Sequence, residues 1–470
     1  MTDNLQIRVR RVIHVYQIRY ESIGQDTVHQ RRGYRERGFD GEKVVPYSLV
    51  SNISTLVDSP ASFNLGFLPL EFTSYRRLRL KFDQAMVKNR RDGETDENCK
   101  KYGVPFFGAS FVPHSALRLS DTETNHEDED SGNGSSYVIF SGGGGEGRNG
   151  IPNALVISRF DPASNSLSDQ PVEKLDSGDD LPYRMAVHPG GDGVICSLPK
   201  SCRWYQWDPI KNEDLIKLKL KPSDKVLDEL EDIGQQLAVT FSHDGSLLAV
   251  GGEDGKLKVL KWPSMELILE APNAHTSVKN LDFSIDGKFL VSVGSGPARV
   301  WDISSLIAKA SLPQENDEIF GSCKFSLNSK NDVILYVTTM RDRGGSIVKW
   351  NTATWKRISS KHVVRDPISA FSVSNDGKLL AIGTNEGDVH ILNSSNMKVH
   401  TVVKKAHIGF VTALAFSNDS RALASVSMDS SARVTMINET TKNGVSIWVV
   451  LLFLLLAAAL YYAKTEGFLL

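Results

Sequence analysis

The chain has 470 residues, and its 54 Lys and Arg against 56 Asp and Glu leave a formal net charge of −2. That balance gives no basic footprint, so nucleic acid is not expected as a partner. A hydrophobic fraction of 40% and 37 glycines exclude a disordered chain and suit one large, turn-rich repeat fold with appendages.

Residues 1–100 do not share the pattern that follows. Their basic cluster at Arg76, Arg77, Arg79 and Lys81 reads either as a lipid- or nucleic-acid-binding arm or as a poorly ordered extension. The extension is the expectation, and the segment stays unassigned. Arg8, Arg10 and Arg11 break the start before an apolar run forms, so no signal peptide is read there. Cys99, Cys196, Cys202 and Cys323 form no C-x-x-C pair and are expected as free thiols in a reducing compartment, with a Cys196–Cys202 bridge as the alternative.

A first unit opens with Val104–Pro113 (VPFFGASFVP) and is interrupted by the charged insertion Asp121–Asp130 (DTETNHEDED), read as a solvated loop. It resumes as SYVIFSGGGGEGRNGIPNALVISRFD and ends at Asp161. At its centre Gly142, Gly143, Gly144, Gly145, Gly147 and Gly150 precede Ile151, Pro152 and Asn153. Gly145-x-Gly147-x-x-Gly150 matches the dinucleotide fingerprint, which needs a helix next so that phosphate meets its N-terminus. Pro152 and then ALVISRF follow instead, a strand, so the fingerprint is rejected. What remains is a glycine-rich excursion between two strands. Its glycines permit backbone angles closed to other residues, so carbonyls could converge on a monovalent cation, as in potassium filters. A plain long hairpin loop competes, and glycine content alone favours it.

The unit recurs from Val187 (VHPGGDGVICSLPKSCRWYQWD), Phe241 (FSHDGSLLAVGGEDGKLKVLKW), Phe283, Phe325, Val373 and Phe416. Starts from Phe241 onward are 42, 42, 48 and 43 residues apart, the spacing of propeller blades. In the Phe241 unit, Asp244-Gly245 and Asp254-Gly255 are turns that separate apolar strands at Leu247–Val250 and Leu257–Leu260. Residues 211–232 are read as an insertion with a short helix over Asp224–Ile233. Trp-Asp survives at Trp207-Asp208 and Trp301-Asp302, and Gly-His has become Ala274-His275 and Ala406-His407. These histidines are read as ties between strands. Seven units predict an all-β, seven-bladed WD-repeat β-propeller over 101–437, its last blade completed by a strand from upstream of Tyr102.

After a linker at 438–444, residues 445–463 read VSIWVVLLFLLLAAALYYA without a charge. As a helix they span about 28 Å, close to the hydrocarbon thickness. Val445 opens the run, Leu456 lies within its apolar stretch, and Trp448, Tyr461 and Tyr462 stand where amphipathic rings favour the interface. A buried core helix is the alternative, and the uninterrupted length favours a single transmembrane α-helix. More basic residues precede the span than follow it, which puts the propeller in the cytosol and 464–470 on the far side.

The run GGGGEGRNGIPN, between VPFFGASF and ALVISRFD, together with the blade count and terminal anchor, resembles one family. It is that of the endoplasmic-reticulum exchange factors that start COPII coat assembly, the prolactin regulatory element-binding protein family. The resemblance covers about residue 101 to the C-terminus and has no counterpart for the first 100 residues. It implies a guanine-nucleotide exchange factor for a Sar-type small GTPase in ER-to-Golgi transport, a regulator of GDP release rather than a bond-making or bond-breaking enzyme. It also implies residence in the endoplasmic-reticulum membrane with a lumenal C-terminus. By resemblance, potassium is held mainly by backbone carbonyls of Asn149, Gly150, Ile151, Pro152 and Asn153, and exchange depends on Asn153. The alternative is a WD-repeat trafficking adaptor for specific membrane cargo, without exchange activity.

Overall fold

The repeats from Phe241, Phe283 and Val373 join their first two strands through an Asp-Gly turn whose carboxylate is locked by neighbouring groups. In the Phe241 unit the Asp244 carboxylate accepts from Ser242 Oγ at 2.6 Å, Ser246 N at 3.1 Å and Ser246 Oγ at 2.7 Å. Gly245 supplies the φ of 74° that the turn requires. The same Ser-x-Asp lock recurs at Ser284/Asp286 and Ser374/Asp376. The next strand, Leu247–Gly252, is buried along nearly its whole length, since neighbouring blades cover both faces of the sheet.

The computed structural model describes residues 98–117, 136–145, 150–212, 215–225, 227–327, 330–342, 344–437 and 451–458. Seven sheets form, one per blade. Blade one holds β2 (Phe106–Phe111), β3 (Ser136–Gly142) and β4 (Asn153–Asp161), with the short β5 (Ser166–Leu167) and β6 (Glu173–Gly178) both paired to β4. Blades two to six span 184–222, 236–271, 278–312, 319–364 and 368–403, and blade seven begins at Val411. The expected seven-bladed, all-β propeller is therefore present.

The ring closes with β1 (Cys99–Lys101), which pairs antiparallel with Ser431–Met436 in the register Cys99↔Arg433, Lys100↔Ala432, Lys101↔Ser431. The strand expected from upstream of Tyr102 is thus located. On the inner side Thr412 Oγ1 of blade seven donates to the Phe106 carbonyl of blade one at 2.7 Å. Tyr102 follows β1 and is buried, its hydroxyl 2.7 Å from Ser158 Oγ and donating to Ser168 O at 2.8 Å. Burial pushes its ionisation up to about 12.

The helix expected over Asp224–Ile233 is corrected. Leu215–Pro222 is the outermost strand of blade two, and only a 3-10 turn at Asp228–Leu230 follows. Within 224–233 Leu227, Leu230 and Ile233 are buried, and their spacing of three suits a 3-10 turn. All four cysteines are free thiols. The histidine ties are present. His275 Nε2 lies 2.8 Å from Ser292 Oγ, which also accepts from Trp301 Nε1 at 2.9 Å. His407 bridges Ser431 Oγ at 2.6 Å and Ser425 Oγ at 2.8 Å.

Residues 451–458 are helical and exposed, Leu456 among them. No helix among the described residues is long and apolar enough to cross a membrane. Val445, Trp448, Tyr461 and Tyr462 lie outside the described residues, as do 1–97 and the insertion at 121–130.

Two outcomes follow from these ties. A chain beginning at Tyr102 lacks β1, so the amides of Ser431–Met436 should exchange with solvent faster than in the full chain; equal protection would show that β1 does not close the ring. Burial holds His407 at about 4, against the opposing charge of Asp429. The unfolded chain therefore binds the extra proton between pH about 6.5 and 4, and stability falls as pH drops through that window. The expected loss is on the order of 3 kcal/mol, read as a Tm decline that His407→Gln flattens.

Candidate functional site

The glycine-rich loop leaves blade one between two strands paired over their full length, from Ser136↔Phe160 to Gly142↔Ala154. Ile139, Phe140, Val156 and Ile157 are fully buried, so these rails are fixed by packing. Gly143 N donates to Pro105 O at 2.9 Å. A Cβ on Gly143 would collide with Asn153, 2.5 Å from its Cα, so only glycine permits this approach.

Asn153 is 3% exposed. Its Oδ1 accepts from Gly145 N at 2.9 Å, and its Nδ2 donates to Gly178 O at 3.0 Å and to Gly145 O at 3.4 Å. One amide thus joins the departing and returning arms of the loop and fastens both to the turn after β6. That turn is held in place by Asp176 Oδ1 accepting from Gly178 N at 2.7 Å and by Ser177 Oγ donating to Asp180 O at 2.8 Å. The Asn153 side chain points into the protein. Ile151 is buried beside it, and Gly150 and Pro152 are exposed. Gly142 and Gly143 are buried and Gly144 and Gly145 partly so, while Gly147 and Asn149 lie outside the described residues.

Next to the loop base lies a small apolar cluster of Phe107, Leu181 and Met428, flanked by Tyr183 and Phe410. Arg184 braces it from below: its guanidinium donates to Phe107 O at 3.4 Å and Leu237 O at 3.2 Å and lies 4.6 Å from the Tyr183 ring centre. Neither Gly178 nor Arg184 was anticipated. The turn sequence DSGDD around Gly178 was the available signal, but its partner stands 25 residues earlier.

Among the described residues no group of three or more His, Cys, Asp or Glu could hold a metal. Among the described residues of the loop the oxygens on offer are neutral, and the carbonyls of Gly150 and Pro152 accept no hydrogen bond from any described residue. Such a donor set suits an alkali cation better than calcium or magnesium, which draw carboxylates.

The model for the WD domain, G-beta repeat, matches residues 234–260 and 398–435. SEC12-like protein 2 of Arabidopsis thaliana is 48% identical over 371 residues, covering 77% of this chain and 94% of that protein. The chain belongs to the SEC12 family. SEC12-like protein 1 of the same plant is 31% identical over 330 residues, covering 67% of this chain and 80% of its own length. The guanine nucleotide-exchange factor SEC12 of Mus musculus is 27% identical over 413 residues, covering 75% and 94%. The SEC12 family thus includes members named exchange factors and members named only SEC12-like.

For this SEC12 relative, Gly143→Ala should destabilise the fold by about 1–3 kcal/mol through overpacking, and the Gly145 amide should lose protection from exchange. Pro152→Ala, at an exposed position, should leave Tm within about 1 °C. Equal effects from the two would show that the loop base is not tightly packed.

Proposed function

We propose that this chain is a guanine-nucleotide exchange factor for a Sar-type small GTPase, promoting COPII vesicle formation at the endoplasmic reticulum. The span 445–463 would hold it in that membrane with the propeller in the cytosol. The observation that carries this reading is the braced glycine-rich loop of blade one, in a family whose members include named exchange factors. An exchange factor binds nucleotide-free GTPase more tightly than the GDP form, and linkage requires that GDP affinity fall in return. A loop anchored at both arms reaches its partner with little conformational entropy left to lose.

Asn153 acts here as a positioning residue, since its amide holds Gly145 and Gly178 rather than facing solvent. The carbonyls of Asn149, Gly150, Ile151, Pro152 and Asn153 are the proposed potassium ligands. The neutral oxygens of Gly150 and Pro152 agree with such a site. Bound there, the ion would supply electrostatic cross-linking of the loop and no chemistry on the nucleotide.

GDP release from a purified Sar-type GTPase tests this, using the full chain in detergent. Asn153→Ala removes hydrogen bonds worth roughly 1 kcal/mol each, so the release rate should fall about tenfold or more. Replacing potassium with sodium should also slow release by wild type. Equal rates for wild type and Asn153→Ala would remove the loop from the mechanism. No acceleration by folded wild type would favour the second reading, a trafficking adaptor for membrane cargo, to which the SEC12-like naming of the 48% identical relative lends support.

A further inference from the structure

Blades four and seven share one frame. In blade seven His407 stands 2.8 Å from Ser425 Oγ, and Ser425 pairs with Arg433 across the strands. In blade four His275 stands 2.8 Å from Ser292 Oγ, and Ser292 pairs with Arg299.

The frames differ at one place. The turn of blade seven carries Asp429, which accepts from Ile408 N, the residue after His407, at 2.7 Å and from Ser431 N at 2.9 Å. Blade three repeats the arrangement: Asp254 accepts from Gly234 N at 3.3 Å and Lys256 N at 3.1 Å. In blade four the turn is one residue shorter, with seven steps from Ser292 to Arg299 against eight from Ser425 to Arg433. It reads Gly294-Ser295-Gly296-Pro297-Ala298 and has no carboxylate.

One donor of that frame is kept, while Pro297 stands where Ser431 does and offers neither an N–H nor a hydroxyl. Thr276 follows His275, and its backbone N–H has no acceptor among the described residues. Arg299 makes no ion pair there, and its Nη1 donates only to Asn273 O at 3.1 Å. A depression of about 360 Å³ lies where the carboxylate would be, lined by Asn273, His275, Thr276, Ser295, Pro297 and Arg299. Burial and then the Arg299 charge depress the basicity of His275. In blade seven the Asp429 charge opposes the same depression of His407.

We propose that this gap in blade four is a docking site for the carboxylate of an acidic segment on a partner protein, which takes the place Asp429 fills in blade seven. The recognition elements are an N–H, two hydroxyls and a guanidinium, a set that matches a planar carboxylate. A single exposed pair contributes little alone, so the site serves as one contact within a larger interface. It lies at the same end of the ring as the glycine-rich loop, because each turn joins the second and third strands of its blade. The proposal does not depend on exchange activity.

The test uses the full chain with carbon-13 labelled histidines, the His275 resonance being assigned by its loss in His275→Gln. The probe is acetyl-SMDSS-amide, which copies the turn of blade seven, set beside its asparagine counterpart acetyl-SMNSS-amide. The aspartate peptide should shift the His275 signal and raise its pKa by about half a unit or more, and the asparagine peptide should not. Arg299→Gln should weaken the aspartate peptide about tenfold. Ser295→Asp, which supplies a carboxylate in place, should raise the His275 pKa by itself and abolish the peptide response. Circular dichroism melts establish that both variants fold. Equal responses to the two peptides, or no response to either, would overturn the proposal. So would an equal response to inorganic phosphate, which would make the gap a site for free anions.

Discussion

A ring of stacked sheets holds only if its last blade meets its first, and here the three residues of β1 complete the last sheet while blades one and seven share a buried core. A propeller blade cannot stand alone, since its sheet is buried on both faces by neighbours. The segment that closes the ring also sets the base of the candidate loop. Cys99–Lys101 completes blade seven, Tyr102 bonds to Ser158 and Ser168 of blade one, Pro105 accepts from Gly143, and Phe106 accepts from Thr412. Within eight residues the chain ties both ends of the propeller and one arm of the glycine-rich excursion. Ring closure and loop geometry are one constraint, so a change at the closing strand is transmitted to the loop through Pro105.

Burial and hydrogen bonding to backbone do this work, and surface charge contributes little. Lys100 meets Asp169 at 2.6 Å, but that aspartate is 86% exposed, and an exposed pair adds at most about 1 kcal/mol. The Asn153 amide is different, because its three backbone partners would otherwise be left partly unsatisfied at a nearly buried site. A neutral amide can take this position without the desolvation cost that a carboxylate would incur.

The blades were legible because their period, their Ser-x-Asp-Gly turns and their buried second strands repeat. The dinucleotide fingerprint was correctly rejected, since the strand Asn153–Asp161 follows it. The closing strand was expected but not located: three residues reading CKK carry no alternation to detect. In the insertion at 211–232, the stretch expected as a short helix over Asp224–Ile233 holds a 3-10 turn instead, with Leu227, Leu230 and Ile233 buried at a spacing of three. At the loop, residue types singled out a segment but could not give the direction of the Asn153 side chain. That direction depends on Gly178, a partner the sequence places in a different turn.

The repeat also shows where to look for chemistry, because a frame copied seven times makes each departure visible. In blade five an ion pair ties the connection before the first strand to the outermost strand: Arg357 meets Glu318 through two bonds of 2.9 Å and Glu315 at 2.8 Å, 6.0 Å from the Trp350 ring centre. The charges of that pair are met within the chain. Blade one lengthens the corresponding turn into the glycine-rich loop and braces it with Asn153. Blade four shortens it and supplies no substitute for the missing carboxylate. A broken repeat that is repaired within the chain speaks to stability, and one left open leaves polar groups whose natural complement must come from outside. Among the described residues, blade four leaves the Thr276 N–H without an acceptor, at the same end of the ring as the glycine-rich loop of blade one.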